Sequence, residues 1–245
     1  GHYIFEEYIP GTAIHSSPLA YGYRGDNDIF VFHDIFPLDM DTAYRTVFSY
    51  MLKHIRNKGY RVISNSHYTA DMLIKHWIKS TVIYPFVDSV NIPYKKEGIV
   101  MDSSYIPYKR PELYQEFLKY YNGKVYRIGN ALTDKVYPYY DVLKMYADSR
   151  VLVNFSTKEG FGYPIAQAMI HRTIPVCSRI PVYEEILEKD YPYFIESDMN
   201  MHDIIDLVNQ AYNDRVTGDY VYSIAKKKFN PEILIEKWIE ILSEF

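Results

Sequence analysis

The sequence predicts an α/β protein built from two units, each a parallel sheet covered by helices. Short apolar runs typical of strands alternate with amphipathic runs typical of helices along the chain, which is the pattern of parallel βα units. The alternation is interrupted at the polar segment SVNIPYKKEG (89–98), which contains Pro93 and Gly98. Such a segment is typical of a connection between domains. We therefore predict a first domain over residues 1–93 and a second over 94–245.

The first unit contains three predicted strands and two predicted helices. The run DIFVFHDIF (28–36) predicts a strand that leaves the sheet at His33 and Asp34. A helix over 42–59 should end at Gly59, because glycine adopts the left-handed conformation that terminates helices. A second helix over 68–77 should be capped by Ser66 or Thr69. The remaining predicted strands are 60–66 and 80–88.

The second unit repeats the alternation after the connection. Its first predicted helix carries Pro111 in the first turn, where a missing N–H costs least. The strands are predicted at 98–104, 124–130, 150–157, 173–178 and 191–197. The helices are predicted at 110–123, 137–149, 163–172 and 181–190, with two closing helices at 201–214 and 231–243.

Composition limits the classes of function. The net charge of the 245 residues is −4, and no basic tract announces a polyanion-binding surface, which disfavours nucleic acid as the main partner. A single cysteine, Cys177, precludes an internal disulfide and suits a reducing compartment. No run approaches the roughly 20 apolar residues of a membrane span, and the N-terminus does not read as a signal peptide. We expect a cytoplasmic protein without a transmembrane segment.

One segment combines a buried-looking strand, a glycine-rich turn and a helix. In VLVNFSTKEGFGYPIAQAM, Glu159, Gly160, Phe161 and Gly162 connect the strand to a helix that begins near Pro164. Ligands of parallel sheets bind at the carboxyl ends of strands, where helix N-termini favour anions such as a diphosphate. The alternative is a tight turn whose glycines serve only the backbone conformation. The local pattern does not decide between them.

The stretch EGFGYPIAQAMIHRTIPVCS resembles the signature of family 4 retaining glycosyltransferases of the GT-B fold, whose usual form is E-G-F-G-x-P-x-x-E-A-M. The segments VFHDIFPLD, VISNSHYTADMLIKHW and KKKFNPEILIEKWIEIL agree with other parts of the family in the same order. The resemblance spans roughly residues 28 to 243. It implies two Rossmann-like units that face each other across a cleft. The N-terminal, acceptor-side unit is reduced and completed by the C-terminal helix, and the second unit binds a nucleotide sugar.

The resemblance also implies roles for individual residues. Glu159 would contact hydroxyls of the donor sugar, and Lys109 would lie on the donor phosphates and stabilise the leaving diphosphate. His33 would lie near the donor sugar. Each has a structural alternative: an acid favoured by the helix dipole, a solvated loop lysine, and a polar residue at a strand end, respectively.

The remaining implied contacts concern the diphosphate and nucleotide. Gly160, Phe161 and Gly162 would offer backbone N–H groups, and YIPGTAIHS (8–16) would be a reduced glycine loop with Gly11 and Thr12 facing the diphosphate. Two positions depart from the family. The second acid of its E-x7-E motif is Gln167 here, a weaker partner for ribose hydroxyls than a carboxylate. The phosphate arginine falls at Ser103, and Arg110 is the candidate substitute.

Metal chemistry has weak support in the sequence. A D-x-D string that holds a divalent ion on a diphosphate should lie at the end of a strand. The two strings in this sequence, at 26–28 and 39–41, do not directly follow a predicted strand. The histidines show no spacing typical of zinc. We therefore expect no metal and no cofactor besides the donor substrate.

Together with these observations, the resemblance implies a retaining glycosyltransferase that uses a nucleotide-diphosphate sugar. The acceptor can be a glycan, lipid, protein or small molecule. The sequence does not determine the oligomeric state. The first rival is a catalytically degenerate sugar-nucleotide-binding partner subunit, motivated by Gln167, Ser103 and the short first unit. The second is another GT-B enzyme, such as a sugar-nucleotide epimerase.

Overall fold

The computed structural model describes residues 14–15, 28–39, 42–91 and 95–243. Within these ranges the chain forms two compact units. Residues up to Pro85, together with Pro231 onward, form the first unit, and Phe86–Asn230 form the second. The division lies just before the polar segment at 89–98, because that segment is hydrogen-bonded to the second unit. The Val90 N–H, for example, donates to His171 Nε2 at 3.2 Å.

The first unit is a parallel sheet covered by helices. Its described elements are β1 (Ile14–His15), β2 (Ile29–Phe32), α1 (Thr42–Lys58), β3 (Arg61–Ser64), α2 (His67–Ile74), β4 (Thr81–Val82) and α9 (Pro231–Ser243). The strand order is β1-β2-β3-β4. Alternation of side chains along each strand gives the sheet two apolar faces. Phe30, Phe32 and Val62 pack on one side with α1 and α2, and Ile29 and Ile63 pack on the other with α9.

The second unit is a five-stranded parallel sheet. Its elements are β5 (Ile99–Asp102), α3 (Pro111–Tyr120), β6 (Val125–Ile128), α4 (Tyr139–Asp148), β7 (Val151–Asn154), α5 (Tyr163–Ile170), β8 (Ile174–Ser178), α6 (Pro181–Leu187), β9 (Phe194–Ile195), α7 (Met201–Asn213) and α8 (Thr217–Lys228). The strand order is β6-β5-β7-β8-β9. The central strands β7 and β8 are buried over nearly their whole length, as expected of a sheet with helices on both faces. Cys177 lies in β8 with its side chain fully buried.

The predicted elements are found in the predicted order, with shorter strands. The run 28–36 stops pairing after Phe32, and a 3₁₀ turn follows at Phe36–Asp39. The run 80–88 pairs only at Thr81–Val82, because its partner β3 ends at Ser64 and the chain then enters the cap of α2. Ser66 is the cap of α2, since its side chain accepts from the Thr69 N–H at 2.9 Å.

One helix was missed. The prediction had two closing helices, whereas α8 (Thr217–Lys228) lies between them. Its first turn contains Gly218, a residue with low helix propensity. In the structure this glycine permits close packing, because a Cβ on it would lie 2.9 Å from the Arg172 carbonyl oxygen.

The described residues hold no helix with both the length and the apolarity that a bilayer crossing requires.

Candidate functional site

The candidate site lies where the strand order of the second sheet reverses. The chain passes from β5 to β6 on one side of β5 and returns to β7 on the other. At such a reversal the connections that leave the carboxyl ends of the two strands run to opposite sides of the sheet, and the crevice between them is the usual ligand position in doubly wound sheets. Lys109 lies in the first connection and Glu159 in the second.

The structure brings these two predicted residues into direct contact. Lys109 Nζ donates to Glu159 Oε1, although the residues are 50 positions apart. Their side chains are 15% and 12% exposed, so the ion pair is largely screened from water without being sealed from it. The sequence pattern indicated a separate role for each residue and gave no sign of their pairing.

Backbone contacts hold the two connections together beside this pair. The Tyr108 carbonyl accepts from the Thr157 N–H at 2.8 Å, and the Thr157 hydroxyl lies 3.3 Å from the same oxygen. Lys109 itself ends a short 3₁₀ turn, Pro107–Lys109. The lysine is thus positioned by structure on both sides, which argues against the alternative of a freely solvated loop lysine.

Tyr183 of α6 and Asn154 of β7 complete the surroundings of Glu159. The Tyr183 hydroxyl lies 3.0 Å from Asn154 Oδ1, to which it donates, and 3.5 Å from Glu159 Oε1. Burial, followed by the Glu159 charge, holds the pKa of Tyr183 well above its usual range, so the phenol stays a hydrogen-bond donor. Asn154 Nδ2 is buried and has no partner among the described residues. Sequence reasoning missed both residues, although Tyr183 lies in the segment RIPVYEEIL that was assigned to the next helix.

Gly162 is needed for this packing. Its φ is +87°, and a Cβ at this position would lie 2.5 Å from Tyr183 Cε1. The Gly162 carbonyl also accepts the first hydrogen bonds of α5, from the Ile165 and Ala166 N–H groups at 2.9 and 3.2 Å. The glycine therefore places the N-terminus of α5 against α6 and next to Glu159.

The other residues of the turn have buried positions. The Phe161 ring packs edge-on against Phe229, with 5.5 Å between the ring centroids, so its side chain belongs to the core of the second unit. Gly160 is buried as well. Any contribution of these two residues to ligand binding must come from their backbone.

Asp102 is a further acid beside the predicted site, and the sequence pattern did not single it out. It ends β5, and its Oδ2 accepts from the Tyr146 hydroxyl at 2.8 Å. Burial raises the pKa of Asp102, and the Tyr146 hydrogen bond and the Lys109 charge oppose that rise. A signal was available, because an acid at the end of an apolar strand is uncommon without a role.

Gln167, on α5, lies in a separate polar group of the second unit. Its Nε2 is 3.5 Å from the Tyr139 hydroxyl, which in turn donates to Asp88 Oδ2 at 2.9 Å. Gln167 is 3% exposed, and its Oε1 has no partner among the described residues. A carboxylate at 167 would share the Tyr139 hydroxyl with Asp88, which gives a physical reason for a neutral amide here.

Ser103 and Arg110 are not part of the contact between Lys109 and Glu159. Ser103 is buried at the end of β5, and its N–H donates to the Ile128 carbonyl at 3.1 Å. Arg110 adopts a left-handed conformation (φ +52°), and its half-exposed side chain lies 3.7 Å from Glu112. Its predicted contact with a phosphate stays a prediction.

The predicted residues of the first unit have a different setting. His33 follows β2 with an exposed side chain, and its carbonyl accepts from Asn65 Nδ2 at 2.7 Å. Gly11 and Thr12 lie outside the described residues. Of the D-x-D strings, Asp28 is buried and accepts from His15 Nε2 at 2.9 Å. In the described ranges no three His, Cys, Asp or Glu side chains group closely enough to hold a metal ion.

Comparison with known proteins identifies the domain that contains Glu159. Residues 132–228 match the family model "Glycosyl transferases group 1", so the prediction of a glycosyltransferase domain is confirmed for this region. No match to a curated protein was found. Lys109 lies outside the matched region.

Three solved structures with a similar fold are distant in sequence. A TarM variant from S. aureus, in complex with fondaparinux, α-GlcNAc-glycerol and UDP, is 20% identical over 88% of this chain and 50% of its own, with a TM-score of 0.67. Anabaena HepE with UDP-glucose is 16% identical over 89% and 72%, with a TM-score of 0.72. The pneumococcal O-GlcNAc transferase GtfA with UDP and GlcNAc is 18% identical over 89% and 52%, with a TM-score of 0.66.

These similarities concern the fold. They confirm the predicted GT-B type, with two Rossmann-like parallel sheets. The chain spans about half the length of the TarM and GtfA chains that it matches.

Proposed function

We propose that this protein is a metal-independent, retaining glycosyltransferase that uses a UDP-sugar as donor. The observation that carries the proposal is the pair of Lys109 and Glu159 at the reversal of the second sheet. Glu159 lies within the matched glycosyltransferase domain. The choice of UDP rests on the complexes of the structural neighbours, which contain UDP or UDP-glucose.

The ion pair has a defined part in this proposal. A diphosphate carries more negative charge than one carboxylate and therefore competes for the Lys109 ammonium. When the donor binds, Lys109 moves its hydrogen bond to a phosphate oxygen. Glu159 then becomes available to accept a hydrogen bond from a hydroxyl of the donor sugar. The charge of Lys109 stabilises the diphosphate as negative charge develops on it.

Retention needs no covalent nucleophile from the chain. The bond between the anomeric carbon and the diphosphate oxygen breaks, and the acceptor oxygen bonds to that carbon on the same face. The acceptor proton passes to the departing phosphate. The protein contributes positioning and electrostatic stabilisation, with His33 as a predicted neighbour of the sugar and the backbone of Gly160–Gly162 as predicted donors to the phosphates.

Calorimetric titration with UDP, GDP, ADP and their sugar conjugates tests the donor. We expect saturable binding of UDP and one UDP-sugar. Lys109→Ala should weaken UDP and UDP-sugar binding alike, whereas Glu159→Ala should weaken the UDP-sugar more than UDP alone, because only the sugar would use the carboxylate.

A matched control pair lies at the amino-terminal ends of β5 and β6 in the same sheet. Lys124 and Glu97 are 3.8 Å apart and about half exposed, so Lys124→Ala and Glu97→Ala should leave donor binding unchanged. If these variants weaken binding as much as the site variants do, or if no nucleotide binds, the proposed site is wrong.

The degenerate partner subunit is the second candidate, and Gln167 favours it. Its buried amide replaces the acid that the family uses for the ribose. Turnover separates the two: hydrolysis or transfer of the bound donor identifies an enzyme, and binding without turnover in the presence of glycan, lipid and protein acceptors identifies a silent subunit. Product analysis distinguishes transfer from epimerisation, and His33→Ala should lower turnover more than donor affinity.

A further inference from the structure

The first unit contains a strongly basic segment. Residues 42–85 hold seven Lys or Arg and one Asp, whereas the rest of the chain holds 20 Lys or Arg against 30 Asp or Glu. Helix α1 alone carries Arg45, Lys53, Arg56 and Lys58 and no acid. A charge imbalance of this size in a chain with a net charge of −4 points to an anionic partner for this segment.

Helix α1 carries most of this charge, whereas α2 has no Lys or Arg, exposes Asp71 and is followed by Lys75 and Lys79. Phe48, Met51 and Leu52 of α1 belong to the same buried cluster as Leu73 of α2 and Ile78 just beyond it. Both helices therefore cover the same face of the first sheet, and their opposite sides form one outer layer.

Large apolar side chains are exposed on that layer among the basic ones. On α1, Val47 and Tyr50 are 57% and 66% exposed, and at the end of α2, Ile74 and Trp77 are 58% and 81% exposed. Basic side chains of α1 are exposed as well. We call the set the α1–α2 outer surface, and it consists of Val47, Tyr50, Lys53, Arg56, Ile74 and Trp77.

Trp77 has an unfavourable backbone conformation as well as an exposed ring. Its φ is +62° in the turn after α2, where its N–H donates to the Ile74 carbonyl at 2.9 Å. Glycine is the usual residue at such a helix end, and a bulky residue with positive φ costs free energy. A side chain that is 81% exposed gains little burial in return, so folding of the first unit alone does not account for a tryptophan here.

The opposite face of the same sheet provides a contrast. Helix α9 exposes Ile233, Ile235 and Ile239, but three acids, Glu232, Glu236 and Glu240, are interspersed with them. This surface is comparably apolar but acidic.

We propose that the α1–α2 outer surface binds anionic phospholipid membranes. Lys53 and Arg56 attract the headgroups, and Val47, Ile74 and Trp77 enter the boundary between headgroups and acyl chains. A basic helix with exposed aliphatic residues and a tryptophan is suited to that boundary. The aliphatic residues favour a membrane over a hydrated polyanionic polymer, which would use the charges and leave Val47 and Ile74 in water. The proposal does not depend on the identity of the donor.

Sedimentation of the full chain with vesicles tests the proposal. We expect binding to vesicles of equal parts phosphatidylglycerol and phosphatidylcholine, loss of binding at high salt, and none to pure phosphatidylcholine. The double change Lys53→Glu and Arg56→Glu should weaken binding by about 25-fold or more, because each basic residue near an anionic surface contributes a factor of about five. Val47→Asn and Trp77→Gly should each weaken binding by about fivefold.

Trp77→Gly separates membrane binding from folding. Because glycine relieves the positive φ, this variant should melt at the same temperature as the wild type or above it, while its vesicle binding falls. Ile239→Asn is the matched control for Val47→Asn, since both remove a similarly exposed aliphatic side chain from a helix of the first unit. It should leave vesicle binding unchanged.

Several outcomes would overturn the proposal. One is no binding to phosphatidylglycerol vesicles at low salt, and another is an equal loss of binding in Ile239→Asn. A third is vesicle binding that depends on Lys53 and Arg56 but not on Val47 or Trp77. In that case polyphosphate should displace the vesicles equally well from the wild type and from the Val47 and Trp77 variants. This last result would assign the surface to a polyanionic polymer.

Discussion

The two sheets of this protein are built from the same βα unit but differ in strand order. Among the described residues, the strand order reverses in the second sheet, and two charged side chains meet at the reversal. In the first, the described strands follow each other in chain order, β1-β2-β3-β4. In the second, the order reverses at β5, and the connections after β5 and β7 separate. Lys109 and Glu159 meet there. The comparison shows that strand order, more than local sequence, decides where a parallel sheet concentrates chemistry.

The largest expected effect concerns Gly162, the glycine at which α5 packs against α6. Gly162→Ala should destabilise the protein by about 3 kcal/mol, the sum of a strained φ and a collision with the Tyr183 ring. Urea unfolding measures the change, and UDP binding should be lost with it.

Gly59→Ala, in the first unit, is the control for that substitution. Gly59 has a similar φ of +68°, but a Cβ there would meet nothing within 4 Å. It should cost only about 1 kcal/mol. Equal losses in the two variants would show that Tyr183 has room to move and that the packing of α5 on α6 is loose.

The next effect tests the pair itself. We combine Lys109→Met and Glu159→Gln in a double-mutant cycle. Each single change leaves a largely buried charge without its partner, so the two single losses of stability should sum to more than the loss in the double variant. We expect a coupling energy of about 2 kcal/mol in the free energy of unfolding. The exposed pair of Lys124 and Glu97 should show a much smaller coupling, because solvent screens it. A coupling near zero for Lys109 and Glu159 would mean that water screens the crevice as it screens the surface.

A partly buried lysine, Lys96, lies at the amino-terminal ends of the strands of the second sheet. Lys96 Nζ donates to the Ser149 carbonyl at 3.0 Å and to Thr173 Oγ1 at 2.9 Å, and also to the His171 carbonyl. Burial, helped by Arg172 and Arg150, lowers the pKa of Lys96 to about 7.

This shift predicts a pH dependence of stability. Between pH 7 and the usual lysine pKa the unfolded chain binds a proton that the folded chain has released, so Lys96 makes the free energy of unfolding rise with pH, by up to about 1.4 kcal/mol per unit. Lys96→Met should remove this slope. Unfolding curves from about pH 6 to about pH 10 measure it, and an unchanged slope would show that Lys96 titrates as an exposed lysine.

The smallest expected effect is confined to the first unit. Ser66→Ala removes the cap of α2 and should cost about 1 kcal/mol of stability. UDP affinity should not change, because the proposed phosphate contacts lie in the second unit. A loss of affinity without a change in melting temperature would instead mean that the capped loop takes part in donor binding.

The sequence by itself was sufficient for the fold class and for the order of most elements, although it missed α8 and the short strand β1. Apolar periodicity depends only on neighbouring residues, so helices such as α1 and buried strands such as β7 were recognised directly. Its failures concern contacts between segments: α8 packs its Gly218 against the Arg172 carbonyl, and β4 stops pairing where its partner β3 ends. Neither contact can be read from the apolar pattern of one segment.

The candidate site divides in the same way. The sequence pointed to Lys109 and Glu159 separately, through a glycine-rich turn and a family resemblance. Only the tertiary structure decided that they form an ion pair, that Tyr183 and Asn154 surround Glu159, and that Asp102 ends β5 beside Tyr146. The reason is physical. The sequence specifies the chemical type of each side chain, but strand order determines which side chains meet and burial determines how strongly they interact.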